Sequence, residues 1–249
     1  MGLAKTYKET SVYVHDMITH TCDAAKVILP IVFKQVQVRS VIDIGCGIGT
    51  WLKIATEFGV KDIVGVDGEY VDRDMLLIEE SDFIPHDLTT KLDLNKRYDL
   101  GICLEVAEHL PENAADILVE TITTHADVIL FSAAIPGQGG QNHINEQWPA
   151  YWSEKFRQKG YVMKDFIRPQ IWMNKQVDRW YRQNLFLVVK GDHQLSLVET
   201  PEILPLVHPD VFIAIHAEHA LKIKQLRSTI ELLKSRHIPS LVKRIFKRS

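Results

Sequence analysis

Three glycines alternate at Gly45, Gly47 and Gly49, directly after the apolar run Val41-Ile42-Asp43-Ile44. Glycines so placed let a backbone turn tightly and approach a ligand where any Cβ would intrude. Helical periodicity resumes at Thr50, so the stretch reads as strand, turn and helix, with the first helical N–H groups aimed back at the turn. Asp43 stands two residues before the first glycine, where a carboxylate suits a cationic ligand group better than a pyrophosphate. Asp67 ends the next apolar run, Ile63-Val64-Gly65-Val66, about 20 residues on. There a carboxylate can accept hydrogen bonds from both hydroxyls of a ribose, or merely cap its own turn. A dinucleotide fingerprint requires glycine or alanine at position 50, and the residue is Thr50.

The elements that must position these groups alternate along the chain. Helical periodicity is expected over 23–33, 51–58, 71–78, 111–125 and 149–159. Strands are expected over 40–44, 63–66, 83–85, 98–104, 127–132, 161–166 and 184–190. Such alternation implies a parallel sheet with helices on both faces, an α/β fold. Glu105 follows the fourth strand, at the carboxyl edge where open α/β sheets bind ligands. His109, one helical turn further on, suits chemistry or simple packing. After the fifth strand, 135–140 is a glycine-rich loop delivering His143, Asn145, Glu146, Trp148, Tyr151 and Trp152 in quick succession. That density exceeds what a connector needs. The aromatic spacing of Trp148, Trp152 and Phe156 suits packing of a helix against the sheet.

The motif D-x-G-x-G-x-G formed by Asp43, Gly45, Gly47 and Gly49 resembles motif I of class I S-adenosylmethionine (SAM) dependent methyltransferases. The resemblance covers roughly 23–190 and implies a doubly wound, Rossmann-like seven-stranded sheet. It implies that the methionine end of SAM lies over Gly45, Gly47 and Gly49 near Asp43, with Asp67 at the ribose. Asp87 resembles the acidic residue that accepts from the adenine amine, although it can instead cap a turn. Glu105 with the pair Glu108-His109 resembles the segment lining the floor between donor and acceptor. The run His143-x-Asn145-Glu146-x-Trp148-Pro149-x-Tyr151-Trp152 is similar to a subset associated with modifying sugars of cell-surface polysaccharides. The segment from Trp180 to Asn184 shares that similarity. The resemblance thus implies O-methylation of a sugar or glycan hydroxyl, with His143 as base and Glu146 or Glu105 orienting it or the acceptor. A methyltransferase for another small molecule or a quinone-like lipid, and a SAM-binding scaffold without catalysis, remain alternatives. No metal-type spacing is present, and metal assistance stays open.

The chain has 249 residues and a net charge of −3. Residues 1–220 hold 20 Lys+Arg against 31 Asp+Glu, while 221–249 hold 9 against 1. An acidic body argues against a nucleic-acid partner. Cys22, Cys46 and Cys103 lack metal or disulfide spacing, which suits reduced thiols and a cytoplasmic location. Residues 1–22 read as an N-terminal arm or lid, 23–190 as the SAM-binding domain and 191–249 as a basic helical extension. In the extension, Pro209 fits a helix start, and Ile223, Leu226, Ile230 and Leu233 recur among basic residues. Self-docking, self-association and peripheral contact of 208–249 with an inner membrane face are the open readings.

Overall fold

The computed structural model describes residues 22–191 and 205–235. The expected arm or lid, apart from Cys22, and the basic piece beyond Pro239 lie outside them.

In chain order, α1 (Asp23–Phe33), β1 (Ser40–Ile44), α2 (Thr50–Glu57), β2 (Asp62–Asp67), β3 (Phe83–Pro85) and β4 (Leu100–Leu104) form the first half. They are followed by α3 (Ala115–His125), β5 (Val128–Ser132), α4 (Pro149–Gln158), β6 (Tyr161–Lys164), α5 (Arg168–Ile171), α6 (Arg179–Asn184) and β7 (Phe186–Lys190). The seven strands make one sheet in the order β3-β2-β1-β4-β5-β7-β6. The order reverses between β1 and β4, which opens a crevice beyond their carboxyl ends. Registered pairs such as Asp43 with Gly65 and Asp43 with Ile102 bring the ends of β1, β2 and β4 to one edge.

Side-chain alternation along the central strands divides the core in two. Val41, Leu100, Ile102 and Leu130 face α1 and α2, where Ile28, Leu29 and Leu52 are buried. Ile42, Ile44, Cys103 and Phe131 face α3 and α4, where Leu118, Ile122, Trp152 and Phe156 are buried. The packing expected of Trp152 and Phe156 is present, with Phe131 centred 5.4 Å and 5.0 Å from them. Both faces of the central strands are therefore sealed, and the carboxyl edge is left for binding.

Two expectations are corrected. The sheet is mixed rather than parallel, because β7 runs antiparallel between β5 and β6. The crossover through α4 leaves a vacant slot between β5 and β6, and β7 returns into it with its own hydrogen bonds to both. No α-helix forms over 71–78, where a single 3₁₀ turn, Arg73–Met75, is started by the Asp72 side chain accepting from Asp74 N–H. Leu77 N–H instead donates to Ile48 carbonyl at 2.8 Å, tying this segment to the glycine turn.

The chain divides into two compact units, 1–208 and 209–249. Residues 205–208 belong to the first, where His208 ring nitrogen Nε2 lies 2.8 Å from Trp172 carbonyl and Gln183 Nε2 donates to Leu206 carbonyl. The second contains α7 (Pro209–Ser235), which begins at the expected proline.

Candidate active site

The glycine turn owes its shape to the positive φ of Gly45, Gly47 and Gly49, a conformation that favours glycine. Gly45 has φ +84°, and a Cβ there would lie 2.2 Å from a Val106 methyl. Gly45 and Cys46 N–H groups both donate to Val66 carbonyl, and Gly47 N–H donates to Asp67 Oδ2 at 2.7 Å. The turn and the second-strand carboxylate are thus one hydrogen-bonded unit. Gly49, also at φ +84°, starts α2 and faces Ile78, so it shapes the turn from behind while Gly45 and Gly47 line the cleft.

Asp43 is 2% exposed, and its Oδ2 has no hydrogen-bond partner. Burial first, then the neighbouring Asp67 charge, push its carboxyl well above the usual carboxylate range. An orphaned, buried carboxylate oxygen beside a glycine cradle fits a ligand that brings positive charge, as the ammonium and sulfonium of SAM do. Asp67 is also poised: Oδ1 accepts from Gly68 N–H at 2.7 Å and from Tyr70 hydroxyl at 2.6 Å. A ribose hydroxyl would make the kind of bond that Tyr70 makes there.

Asp87 lies on the exposed turn after β3. Its exposed carboxylate accepts from Thr89 N–H and Oγ1 at 2.9 and 2.7 Å, capping a turn, and those bonds hold its pKa down. The cleft wall at this point is the adjacent Leu88.

The floor is formed where β4 ends. Glu105 has φ +54°, a left-handed conformation costing about 1–2 kcal/mol for a non-glycine residue. Neighbours hold it there: its N–H donates to Ser132, while Asn184 Nδ2 and Gln138 Nε2 donate to its carboxylate at 3.1 and 3.2 Å. Burial raises its pKa against the lowering effect of those donors. Glu108 is completely buried; its Oε1 accepts from Ala134 N–H at 3.2 Å, and its Oε2 has no hydrogen-bond donor. Burial and the nearby Glu105 charge push its carboxyl well up.

His143 reaches this floor from the loop after β5. Its Nδ1 lies 2.9 Å from Glu146 Oε1. A carboxylate only accepts, so Nδ1 carries the proton in that bond and the lone pair of the neutral ring resides on Nε2. Glu146 also accepts from Gly137 and Gly139 N–H groups, both at 2.7 Å, so it sits behind the cleft as a strut. The rings of His143 and His109 meet edge to face, centroids 4.9 Å apart. Burial, then the neighbouring His143, lower the His109 pKa to about 4, which keeps that ring neutral at physiological pH. Ligand-capable atoms of Glu108, His109 and His143 all lie within 4.8 Å of one another. Sequence spacing gave no sign of that convergence.

A cleft of about 380 Å³ joins these parts. Opposite the floor, α6 supplies Arg179, Trp180 and Tyr181, with Trp51 packed edge-on against Tyr181 at 5.4 Å. These residues form a helical turn rather than the salt-bridged hairpin that their sequence also suited. Of the expected site residues, Asp43, Gly45, Gly47, Asp67, Glu105 and His143 line one cleft, Gly49 and Glu146 support it from behind, and Asp87 stands outside. Tyr70 and Gln138 had no motif to announce them, and Asn184, which ends a run the sequence did single out, reaches Glu105 from another segment.

A family model described as a methyltransferase domain matches residues 13–194. No curated protein matches. Among solved structures, the sugar N-methyltransferase KedS8 from Streptoalloteichus sp. is 15% identical with a TM-score of 0.54, covering 76% of this chain and 98% of that one. The methyltransferase domain of bacterial CtHen1-C is 18% identical with a TM-score of 0.51, covering 68% and 98%. DesVI from Streptomyces venezuelae is 14% identical with a TM-score of 0.51, covering 68% and 91%. At these identities the likeness is one of fold. The family match spans the glycine cradle, the orphaned Asp43 and the floor together, and with them the chain belongs to the methyltransferase-domain family, as an enzyme whose methyl donor is S-adenosylmethionine.

Proposed function

We propose that the enzyme O-methylates a sugar or glycan hydroxyl during polysaccharide biosynthesis. One observation carries the reading: His143, fixed through Nδ1 by Glu146, shares a cleft with the donor cradle and packs its other nitrogen against Gly140 of the cleft wall. The sulfonium already activates the methyl group, so the protein must align the reactants, exclude water and accept a proton. The acceptor oxygen attacks the methyl carbon, the C–S bond breaks with its electron pair on sulfur, and the hydroxyl proton passes to His143. The acceptor wall suits a sugar, since Trp180 and Tyr181 offer faces for a pyranose and Arg179 offers a fork for a phosphate. The neighbouring fold of KedS8, titled a sugar N-methyltransferase, supports a sugar acceptor without choosing between oxygen and nitrogen.

The test separates donor from acceptor chemistry. His143→Ala should lower kcat at least a hundredfold with SAM affinity kept, and Asp67→Ala should weaken SAM binding. An unchanged kcat in His143→Ala removes the base and leaves the methyltransferase intact.

We place the enzyme in the cytoplasm, in peripheral contact with anionic lipid at the inner membrane face through 208–249. On α7, taken by itself, Ile223, Leu226, Ile230 and Leu233 lie about half exposed on one stripe. Lys222, Arg227 and Lys234 lie beside that stripe, where they would meet anionic headgroups. Among the described residues no helix is long and apolar enough to cross a membrane.

A further inference from the structure

We infer that Glu108, His109 and His143 form a binding site for one divalent first-row metal ion on the floor of the cleft, where the ion would hold and acidify the acceptor hydroxyl. The inference deepens the methyl-transfer reading and rests on it for the role of the ion, though not for its binding.

The three ligands are brought together by backbone bonds. Ile144 and Asn145 N–H groups both donate to Glu108 carbonyl, at 2.9 and 3.1 Å, docking the segment that carries His143 onto the segment that carries Glu108 and His109. One carboxylate oxygen and two imidazole nitrogens then lie within 4.8 Å of one another, so side-chain shifts of about half an ångström or more would close them onto a single ion with bonds of about 2.0–2.2 Å. Glu108 is the second observation. It is completely buried, and its Oε2 has no hydrogen-bond donor; the ionisable group beside it is another carboxylate, Glu105. A buried oxygen of this kind is costly unless a proton or a cation meets it.

The support around the cluster is what a metal needs. His143 commits Nδ1 to Glu146, leaving Nε2 for coordination, and Glu146 is itself fixed by Gly137 and Gly139 N–H groups. A carboxylate behind a histidine ligand fixes its orientation and raises its basicity as a donor. Three protein ligands leave positions open towards the cleft, as in catalytic rather than structural metal sites. The mixture of nitrogen and oxygen donors favours Mn²⁺, Fe²⁺ or Zn²⁺ over Ca²⁺. An acceptor hydroxyl bound at an open position loses its proton to water more readily, and its oxygen takes the methyl as before. With the ion bound, His143 serves as its ligand and water takes the proton; in the ion-free chain His143 takes it directly.

The test uses Mn²⁺ with the full-length chain, stripped with chelator, and reads free ion by electron paramagnetic resonance in the absence of SAM and acceptor. The expected result is one bound ion per chain, with affinity falling at least tenfold in both Glu108→Gln and His143→Ala. The first keeps the shape of a buried side chain and the second lies on a loop; heat protection by SAM shows that each variant is folded. No stoichiometric binding to the wild-type chain, or binding that both variants retain, overturns the site. If the ion binds but the loaded enzyme methylates no acceptor, the methyl-transfer reading fails and the site stands. If methyl transfer proceeds equally fast with the ion stripped away, the ion's part in acidifying the hydroxyl is overturned and the methyl-transfer reading stands.

Discussion

Glu146 and His143 are joined by a 2.9 Å bond from imidazole Nδ1 to carboxylate, and the same carboxylate accepts the N–H groups of Gly137 and Gly139. One side chain therefore sets the tautomer of the histidine and the course of the loop that carries it. This makes Glu146 a positioning residue, outside the cleft wall yet controlling what faces it.

Replacing Glu146 with alanine should lower kcat by about 10- to 100-fold while the KM for SAM stays within a factor of two. Glu146→Gln retains an acceptor for Nδ1 and should recover part of the loss. Steady-state kinetics on the two variants check this. A rise in the KM for SAM with kcat unchanged would place Glu146 on the donor side instead.

Asp43→Asn should have opposite effects on stability and binding. The folded chain holds the Asp43 carboxyl above 3.8, so as pH rises past that value the folded state retains a proton that the unfolded state has released. Stability without ligand therefore falls with rising pH on account of this group, and asparagine removes the fall. At pH 8 the variant should melt higher than wild type in the absence of SAM and bind SAM at least tenfold more weakly, by roughly 1.4 kcal/mol. Melting curves with and without SAM measure both effects, and undiminished SAM affinity would dissociate Asp43 from the donor.

His109 gives the opposite slope. Its folded pKa is about 4 against 6.5 for the free side chain, so between those values the unfolded chain binds a proton that the folded chain refuses. Stability from this group is complete above pH 6.5 and is lost as pH falls towards 4, on the order of 2 kcal/mol after allowance for partial exposure. Asp43, Glu105 and Glu108, with raised values, slope the other way, so the measurement is a difference. Urea unfolding of wild type and His109→Gln in chelator should show the variant losing less stability from pH 7 to pH 5. Equal losses would mean that His109 protonates freely in the fold.

For the tail, replacing Lys222, Lys224, Arg227 and Lys234 with glutamine should weaken sedimentation with anionic vesicles at least tenfold, at roughly 1 kcal/mol per charge. Binding to neutral vesicles should be weak for both proteins. Equal sedimentation of variant and wild type with anionic vesicles would exclude α7 as the lipid contact.

The donor half of the site was legible because its residues act locally. Gly45 and Gly47 sit within one turn, and Asp67 ends the adjacent strand, so spacing alone placed them near one another. The seven strands were legible for the same reason, through apolar runs separated by turn residues. The direction of β7 was not, since apolar alternation is the same whichever way a strand runs. Asp87 stayed open between two roles, because a carboxylate at a strand end serves a ligand or a turn equally well; Thr89, two residues on, occupies one of its oxygens. The convergence of Glu108, His109 and His143 was hidden for another reason. It depends on Ile144 and Asn145 reaching back to the Glu108 carbonyl, a pairing of segments that no local pattern encodes.

Methyl transfer to a sugar oxygen is tested most directly by supplying the wild-type chain with SAM labelled in the methyl group and a mixed pool of nucleotide sugars and lipid-linked glycans. The enzyme should release S-adenosylhomocysteine and leave the label as an O-methyl ether in a sugar-containing fraction, water-soluble or lipid-linked. Label confined to sugar-free material or to an amine, or no release with any acceptor, would contradict it.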